Sequence, residues 1–279
     1  RKRGGRGGPF PLALSSHCLL PSARPRSAQL GEMAVVLNAT GLTHDYLSPL
    51  AMKETFGQYR HAVGCVAAFL ALIVLDVVIA RNTKARWMAL HTLANAAVCL
   101  FSWPEVSRAA EDPLNSCSGP APTYVPAYII CAVHFYHLVG GFKLTLDDWV
   151  HHCVFVTYIG AACFAFEESG PLVNLIAFFM CGLPGGLDYM MLVLVKHGVL
   201  TSQTEKSWNS RINVWLRSPG LLLAAYCMFV ATRSGPTHTP CAQHPIKTAI
   251  NAMLIFSNAQ YYMQKVTGNT YRKVQAFNS

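Results

Sequence analysis

The sequence predicts an all-α membrane protein, a polytopic bundle of about seven transmembrane helices. Three observations predict this fold class. Of the 279 residues, 52% are hydrophobic and only 13% are charged, which is about half the charged share of a soluble domain. The apolar residues collect into stretches about 20 residues long, the length needed to cross a hydrocarbon core of about 30 Å. The short connections between these stretches also alternate in charge along the chain.

Seven stretches are long and apolar enough to be spans, and helices are expected because a backbone inside a membrane must satisfy its own hydrogen bonds. Polar groups interrupt the second, sixth and seventh stretches, so six to eight spans are compatible with the pattern. The predicted spans are 61–80, 87–103, 123–142, 149–166, 172–196, 212–232 and 246–264.

The formal net charge of +9 suggests a nucleic-acid partner until the charges are located along the chain. Six basic residues and a single acid, Glu32, lie in the first 32 residues, and the remainder of the chain is far less basic. It forms no basic face with interleaved aromatic residues, so nucleic acid is excluded as a partner. Residues 1–32 are rich in Gly, Pro, Arg and Ser, and we expect a disordered leader ahead of Met33 or a transit-type segment.

The charges of the connections predict the orientation. The first connection contains Arg81, Lys84 and Arg86 and no acid, so the positive-inside rule assigns it to the cytosol. The second, which carries Glu111 and Asp112, then faces the lumen. Alternation over seven spans leaves the N-terminus lumenal and the C-terminus cytosolic. The predicted organisation is an exposed segment at 33–55, a transmembrane domain at 56–266 and a cytosolic tail at 267–279.

Two features test this orientation, because both depend on the lumenal side of the membrane. Asn38 begins an Asn-Ala-Thr sequon and is a candidate glycosylation site. Most of the ten cysteines lie within predicted spans. Cys117 and Cys241 instead fall in the second and sixth connections, both assigned to the oxidising side, so they are the candidates for a disulfide.

The fifth span contains an irregular stretch, Pro184-Gly185-Gly186. Proline removes a backbone donor and paired glycines weaken a helix, so the sequence predicts a helix that is broken or kinked near the middle of the membrane. A break at that depth is tolerated only where protein or a cavity surrounds it. The alternative is a kink that improves helix packing through small residues.

The sharpest polar cluster runs from Asp147 to His152, where a polar loop leads into the fourth span from the cytosolic side. On a helix, Asp148 is expected to face His152, and Asp147 to face His151, because each pair is four residues apart. A carboxylate beside an imidazole holds its tautomer and raises its basicity, as a general base requires. His151, His152 and Asp148 are therefore the candidate catalytic residues, and the alternative is a polar anchor at the membrane interface.

Other polar side chains occupy predicted spans where apolar ones would cost less. The candidates to line one polar, substrate-binding cavity are His91, His134, His137, Asn174 and Asp188. His134 and His137 share a helical face, so together with His151 and His152 they have the residue types of a metal site. The multi-histidine boxes of membrane di-iron oxygenases need more histidines at suitable spacings than this chain offers, so no metal is expected.

Three stretches of the sequence together form a recognisable pattern. They are Arg86-Trp87 with His91 and then Trp103-Pro104-Glu105, Asp147 to His152, and Glu168 to Leu175. This pattern resembles the TLC domain, a family of endoplasmic-reticulum membrane proteins named after its TRAM, Lag and CLN groups. The order and spacing of the stretches are similar to that family's basic-aromatic start, paired histidines and Glu-Ser-x-Pro-type loop. The resemblance covers about residues 55–270.

The resemblance implies a multi-helical fold that handles lipids. In the enzyme branch, the ceramide synthases, the paired histidines take part in acyl transfer from acyl-CoA to a sphingoid amine, and His151 and His152 would take that role here. The longer signature that follows the pair in the synthases is echoed only by Asp188, Tyr189 and Lys196, without its leading His-Asp or its Glu. The chain is therefore more similar to the branches that regulate membrane lipid composition or assist protein transport.

The function expected from this resemblance is membrane lipid homeostasis, sphingolipids included, in the endoplasmic reticulum or another endomembrane. The expected partner is a membrane lipid, and no cofactor is expected. Two alternatives stay open. One is an N-acyltransferase of the ceramide-synthase kind, for which acyl-CoA is a co-substrate, and the other is a transporter that uses the irregular fifth span around a small molecule or lipid.

Overall fold

The structure is a computed structural model, and it describes residues 49–113, 115–118, 122–146, 148–149, 152–153, 170–234 and 239–278. The chain divides into two compact units, residues 1–58 and 59–279, and the cavity described below lies within the second. Several sequence predictions fall outside the described residues: the segment 1–32, the sequon at Asn38, most of the fourth span, and the residues Asp147 and His151.

All regular structure in the described residues is helical, which confirms the all-α part of the predicted fold class. A short 3-10 turn at Ala80–Asn82 follows the first helix. In chain order the helices are α1, Pro49–Val78; α2, Arg86–Glu111; α3, Val125–Val139; α4, Leu172–Ala177 continued through a π-helical turn at Phe178–Gly182 into Leu183–Lys196; α5, Ser202–Ile212 continued through a π-helical turn at Asn213–Arg217 into Ser218–Ser234; α6, Pro240–Gln243; and α7, Pro245–Asn278.

Three of the described helices are long and apolar enough to cross a membrane. They are Tyr59–Asn82 with 24 residues, Leu172–Lys196 with 25 and Ser202–Arg233 with 32, and they correspond to the first, fifth and sixth predicted spans. Helix α3 is apolar but has only 15 residues. The apolar residues Val66, Leu70 and Val74 lie exposed along α1, as expected of a helix surrounded by lipid.

The predicted break in the fifth span is wrong, whereas the kink, which was the other predicted form, stays a prediction. Helix α4 stays helical from Leu172 to Lys196, and the irregularity is the π-helical turn that immediately precedes Leu183 and Pro184. The wider π-helical turn accommodates the proline, whose missing N–H and bulky ring would disrupt a regular α-helical ladder. The helix ends before Gly198, which has a φ of 76° in the left-handed region.

Helix α7 continues well beyond the predicted membrane boundary. It runs from Pro245 to Asn278, so the segment 267–279, predicted as a tail, is helical up to Asn278. Its hydrogen bonds include Thr270 Oγ1 to the Lys206 backbone carbonyl at 3.3 Å, which ties this part of α7 to α5. The predicted boundary marked only where the apolar residues end, and helical hydrogen bonding does not stop at that point.

Asp76, near the end of α1, is fully buried and ties three elements together. Its carboxylate accepts hydrogen bonds from Arg86 at 2.6 and 2.8 Å, from the Tyr136 hydroxyl at 2.7 Å and from Arg81 at 3.0 Å. A buried charge is stable only when it is paired and hydrogen-bonded in this way. The start of α2 is therefore held against α1 and α3, and this positions Trp87 at the cavity.

Helix α2 is central to the bundle because it packs against both α3 and α4, while α5 packs against α4 and α7. The core between α4, α5 and α7 includes Leu175, Leu221 and Ile255, and each of these side chains is almost completely buried. A Cβ at Gly220 would overlap the ring of Phe179, so the close approach of α5 to α4 requires glycine.

A disulfide joins Cys117, in the loop after α2, to Cys241 in α6. These are the two cysteines assigned by the loop charges to the oxidising side. Both are buried against the same core as α4, α5 and α7. The bond closes a loop of chain whose ends are 124 residues apart, so it links the connections at one end of the bundle.

Candidate functional site

Polar residues from separate parts of the chain converge on one cavity of about 410 Å³. Its walls come from helices α2, α3, α4, α5 and α7, together with residues 148 and 152. Four separate segments of chain contribute the predicted site residues, so their convergence is a property of the fold and not of local sequence. The predicted residues that line the cavity are His91, His134, His137, Asp148, His152 and Asp188.

Two predicted residues are not among the described lining. Asn174 is fully buried at the start of α4, where its Nδ2 donates a hydrogen bond to the Thr123 carbonyl at 2.9 Å. It therefore anchors the segment before α3 and does not face the cavity. His151, the first member of the histidine pair, lies outside the described residues.

His134, His137 and His152 form one wall of the cavity, called here the histidine wall. This wall contains a directly hydrogen-bonded pair. His137 Nδ1 and His152 Nε2 are 2.6 Å apart, and His152 Nδ1 lies 2.7 Å from the backbone carbonyl oxygen of Asp148. The indole of Trp87 stacks on the His137 ring, with ring centroids 3.5 Å apart and an interplanar angle of 18°. Stacking and hydrogen bonding together hold both imidazoles in one orientation.

The partners of these rings assign their protons. A carbonyl oxygen only accepts hydrogen bonds, so His152 Nδ1 must carry a proton and donate a hydrogen bond to the backbone carbonyl of Asp148. When His152 is neutral, its Nε2 accepts, and His137 Nδ1 must be the donor. By the same reasoning His134 Nδ1 donates to the Ile130 carbonyl at 2.7 Å. In these neutral tautomers the lone pairs lie on Nε2 of His137 and of His134.

The carboxylate of Asp148 does not bond to His152, which corrects the predicted four-residue pairing. Its Oδ2 accepts from the Thr145 backbone N–H at 2.9 Å and from the Thr145 hydroxyl at 2.8 Å, while Asp148 N–H donates back to Thr145 Oγ1 at 3.3 Å. These reciprocal bonds form a capping box, which satisfies otherwise unpaired groups where the helical segment begins. The bond from the Thr145 N–H is the main cause that lowers the pKa of Asp148 below its ordinary value.

Aromatic side chains connect the histidine wall to α4. His91 stacks on Tyr189, with ring centroids 4.1 Å apart and planes 10° from parallel. The Trp87 ring meets His91 edge-on at 4.0 Å. These contacts make a continuous aromatic surface, which suits both the apolar and the polar parts of an amphiphilic ligand.

A second wall is built on a ladder of polar residues along α5. Asn209 Nδ2 donates to Glu205 at 3.5 Å, and Asn213 Nδ2 donates to the Asn209 carbonyl and side-chain oxygen at 2.9 and 2.7 Å. Arg217 Nη1 then donates to Asn213 Oδ1 at 2.8 Å. Glu205 and Asn213 are almost completely buried, so the ladder holds Arg217 through partners that cannot move freely.

Asp188 and Arg217 face the cavity with hydrogen-bonding capacity left over. Within the described residues, no hydrogen-bond partner exists for Asp188 Oδ1 or for Arg217 Nε, and both atoms are buried. Among the ion pairs formed by described residues, none joins these two side chains. Opposite charges that share a cavity without pairing are costly to leave unsatisfied, and this is typical of a binding site.

Sequence reasoning missed much of this second wall. The lining residues it did not identify include Asn209, Arg217, Asn258, Tyr262 and Lys265, and on the histidine side it also missed Trp87. A usable signal was present, because Glu205, Asn209, Asn213 and Arg217 recur every four residues and so share one helical face. Hydropathy placed Glu205 and Asn209 in a connection, and that hid the pattern.

The arrangement is suited to binding a polar head and to moving a proton. In the part of the chain that the structure describes, no group of three or more His, Cys, Asp or Glu side chains is placed to hold a metal ion. The paired imidazoles of His137 and His152 instead form a short relay, since a proton gained at His137 Nε2 allows its Nδ1 proton to move to His152.

Comparison of the chain with protein-family models, with curated protein sequences and with solved structures found no match.

Proposed function

We propose that the chain is a multi-pass membrane protein of TLC type that binds a membrane lipid in this cavity and acts in membrane lipid homeostasis. The observation that carries the proposal is the convergence of the dispersed histidines and Asp188 on one cavity, two walls of which are the candidate membrane spans α4 and α5. Ionisable residues are costly at membrane depth and are kept where they face a functional cavity.

The lining of the cavity supports an amphiphilic ligand. Alongside the polar walls it contains the apolar side chains of Ile130, Val133, Met180 and Val266. Its volume of about 410 Å³ falls within the range of about 300–1,000 Å³ typical of ligand sites. A lipid would place its head group among the charged and imidazole side chains and its first methylene groups against the apolar ones.

The proposal includes seven spans, a lumenal N-terminus, a cytosolic C-terminus and residence in the endoplasmic reticulum or another endomembrane. The basic residues Arg81, Lys84 and Arg86 at the turn after α1 support a cytosolic position for that turn. The disulfide between Cys117 and Cys241 supports an oxidising, lumenal position for the connections that it joins.

The lipid-binding function is tested by filling the cavity. The full chain is purified in lipid nanodiscs, and co-purifying lipid is measured after exchange into detergent. Met180→Trp places an indole in the cavity and is expected to reduce retained lipid at least about tenfold. Leu223→Trp, on the exposed face of α5, is the matched control and is expected to retain lipid normally. Equal lipid retention by both variants contradicts the proposal.

A second candidate function is N-acyl transfer, and the His137–His152 pair favours it. The amine nitrogen of an acceptor would attack the thioester carbon of acyl-CoA, so that a C–N bond forms as the C–S bond breaks. His137 Nε2 would take the proton from the nitrogen and return it to the departing CoA thiolate, while His152 orients the ring. Acyl-CoA is a co-substrate in this scheme, and no cofactor is required.

Acyl transfer is tested with the purified full chain, acyl-CoA and a sphingoid amine. Loss of a general base costs about 10²–10⁴-fold in turnover, so His137→Ala should reduce amide formation by about that factor. His152→Ala removes the residue that orients the base and should also reduce amide formation. His197→Ala, at an exposed residue after α4, is the control and should leave turnover unchanged. Amide formation at the normal rate in both histidine variants eliminates this function.

A further inference from the structure

We propose that Asp188 and Arg217 bind a zwitterionic head group in which a primary ammonium is joined through a short spacer to a phosphate. This inference rests on the proposed lipid-binding function and specifies the head-group chemistry of the lipid. It is carried by two half-buried, oppositely charged side chains that line one cavity and each leave one buried hydrogen-bonding atom without a partner in the described residues.

Arg217 provides the anion-binding half of the site. Its Nη1 is occupied by Asn213 at 2.8 Å, which fixes the orientation of the guanidinium. Its Nε is buried, and no described residue accepts a hydrogen bond from it. Nε and the adjoining Nη2 form the edge of a guanidinium that binds two oxygens of a phosphate side by side. An anionic ligand oxygen is therefore the group that would accept the remaining hydrogen bond from Arg217 Nε.

Asp188 provides the cation-binding half. Its Oδ1 is buried and has no hydrogen-bond partner among the described residues. A carboxylate only accepts hydrogen bonds, so the missing partner is an N–H or O–H donor. A primary ammonium brings both the positive charge and the N–H groups, whereas a quaternary ammonium brings the charge without any N–H. The site should therefore discriminate between these two heads.

The charge balance of the cavity favours a ligand with no net charge. The charged side chains in the described lining are Asp148, Asp188, Arg217 and Lys265, two acids and two bases. A head group that carries only a phosphate would leave Asp188 unsatisfied, and one that carries only an ammonium would leave Arg217 unsatisfied. A zwitterion satisfies both and keeps the cavity neutral.

Glycine at position 185 leaves space beside the guanidinium. A Cβ at this position would lie 3.0 Å from Asn95 Nδ2 and 3.8 Å from Arg217 Nη2. Both of these side chains line the cavity, and Gly185 itself is part of the lining. The absent side chain thus allows a ligand oxygen to approach Arg217 along the α4 backbone.

The test uses the full chain in nanodiscs of defined composition, followed by quantification of the lipid retained in detergent. The probes are phosphatidylethanolamine, phosphatidylcholine and phosphatidylglycerol with identical acyl chains, together with free phosphoethanolamine as a competitor. We expect phosphatidylethanolamine to be retained at least about tenfold over the other two, the factor expected for one charge-assisted hydrogen bond. This comparison within the unmodified chain does not depend on the folding of any variant.

Two variants assign the preference to the two residues. Asp188→Asn should remove the preference for the primary over the quaternary ammonium, and Arg217→Gln should reduce retention of all three phospholipids. Glu111→Gln and Arg211→Gln are matched controls at exposed positions outside the described lining and should behave as the unmodified chain does. Circular dichroism and gel filtration identify any variant that fails to fold.

Each outcome separates this inference from the function on which it rests. Retention of lipid without any head-group preference overturns the zwitterion site and leaves lipid binding standing. Equal retention of phosphatidylglycerol and phosphatidylethanolamine also overturns the site, because an anion alone would then suffice. Binding of free phosphoethanolamine without retention of any diacyl lipid supports the head-group chemistry and overturns the lipid function.

Discussion

Replacing Asn213 by alanine tests the polar ladder that positions Arg217. Asn213 is almost completely buried, accepts a hydrogen bond from Arg217 Nη1, and donates to two oxygens of Asn209. A hydrogen bond to a charged group contributes about 1.5–3 kcal/mol, and one between neutral side chains in a membrane contributes about 0.6 kcal/mol. Together these values predict that Asn213→Ala lowers the free energy of unfolding by about 3–4 kcal/mol.

The measurement is unfolding of the full chain in mixed micelles as the fraction of denaturing detergent rises, followed by tryptophan fluorescence. Asn115→Ala is the matched control, because Asn115 is exposed and its side chain donates to the exposed Asp112 three residues earlier, so a change within about 0.5 kcal/mol is expected. A double-mutant cycle with Arg217→Gln should give a coupling of about 1.5–3 kcal/mol. Additive effects, or an Asn213 variant as stable as the control, would refute the ladder.

Three further predictions concern other parts of the molecule. Replacing both Cys117 and Cys241 by serine should lower the free energy of unfolding by up to about 5 kcal/mol, because the disulfide joins residues 124 positions apart. A reductant should lower the melting temperature of the unmodified chain but not that of this variant. The pKa of Asp148 is lowered in the folded chain, so the ionised carboxylate stabilises the fold above pH 3.8, and this stabilisation is lost as the pH falls through the folded-state pKa. Asp148→Ala should abolish that part of the dependence of the melting temperature on pH. Gly220→Ala should cost about 1–3 kcal/mol by thermal unfolding because its Cβ meets an aromatic ring, whereas Gly268→Ala, where a Cβ meets nothing, should not.

The apolar helices were the most predictable part of the fold, because hydropathy and length depend on the local sequence alone. The predicted span 172–196 coincides with α4, which begins after Pro171 and ends before Gly198. Helices α2 and α7 extend beyond their predicted spans, to Glu111 and Asn278, because a helix does not end where its apolar residues end. The π-helical turns were beyond prediction, since they depend on how neighbouring helices pack.

The site was predictable mainly on its histidine wall. Polar residues inside apolar spans are conspicuous, and this signal identified His91, His134, His137 and Asp188 as lining residues. The partner of Asp148 was not predictable from helical spacing, because unpaired backbone groups at a helix start compete for the same carboxylate. Arg217 was missed because its role depends on a ladder that begins in a segment read as a connection.

The charges of the cavity separate the two candidate functions. Acyl-CoA carries several phosphate charges, whereas the described lining is balanced, with Asp148 and Asp188 against Arg217 and Lys265. The nucleotide part of acyl-CoA would therefore have to lie outside the cavity, and only its thioester end would reach the histidine wall. A zwitterionic lipid satisfies the charges within the cavity without this requirement. Asp188 and Arg217 line the same cavity as His137 and His152, so the proposed lipid binding needs only one ligand there, whereas acyl transfer additionally requires space for a second substrate.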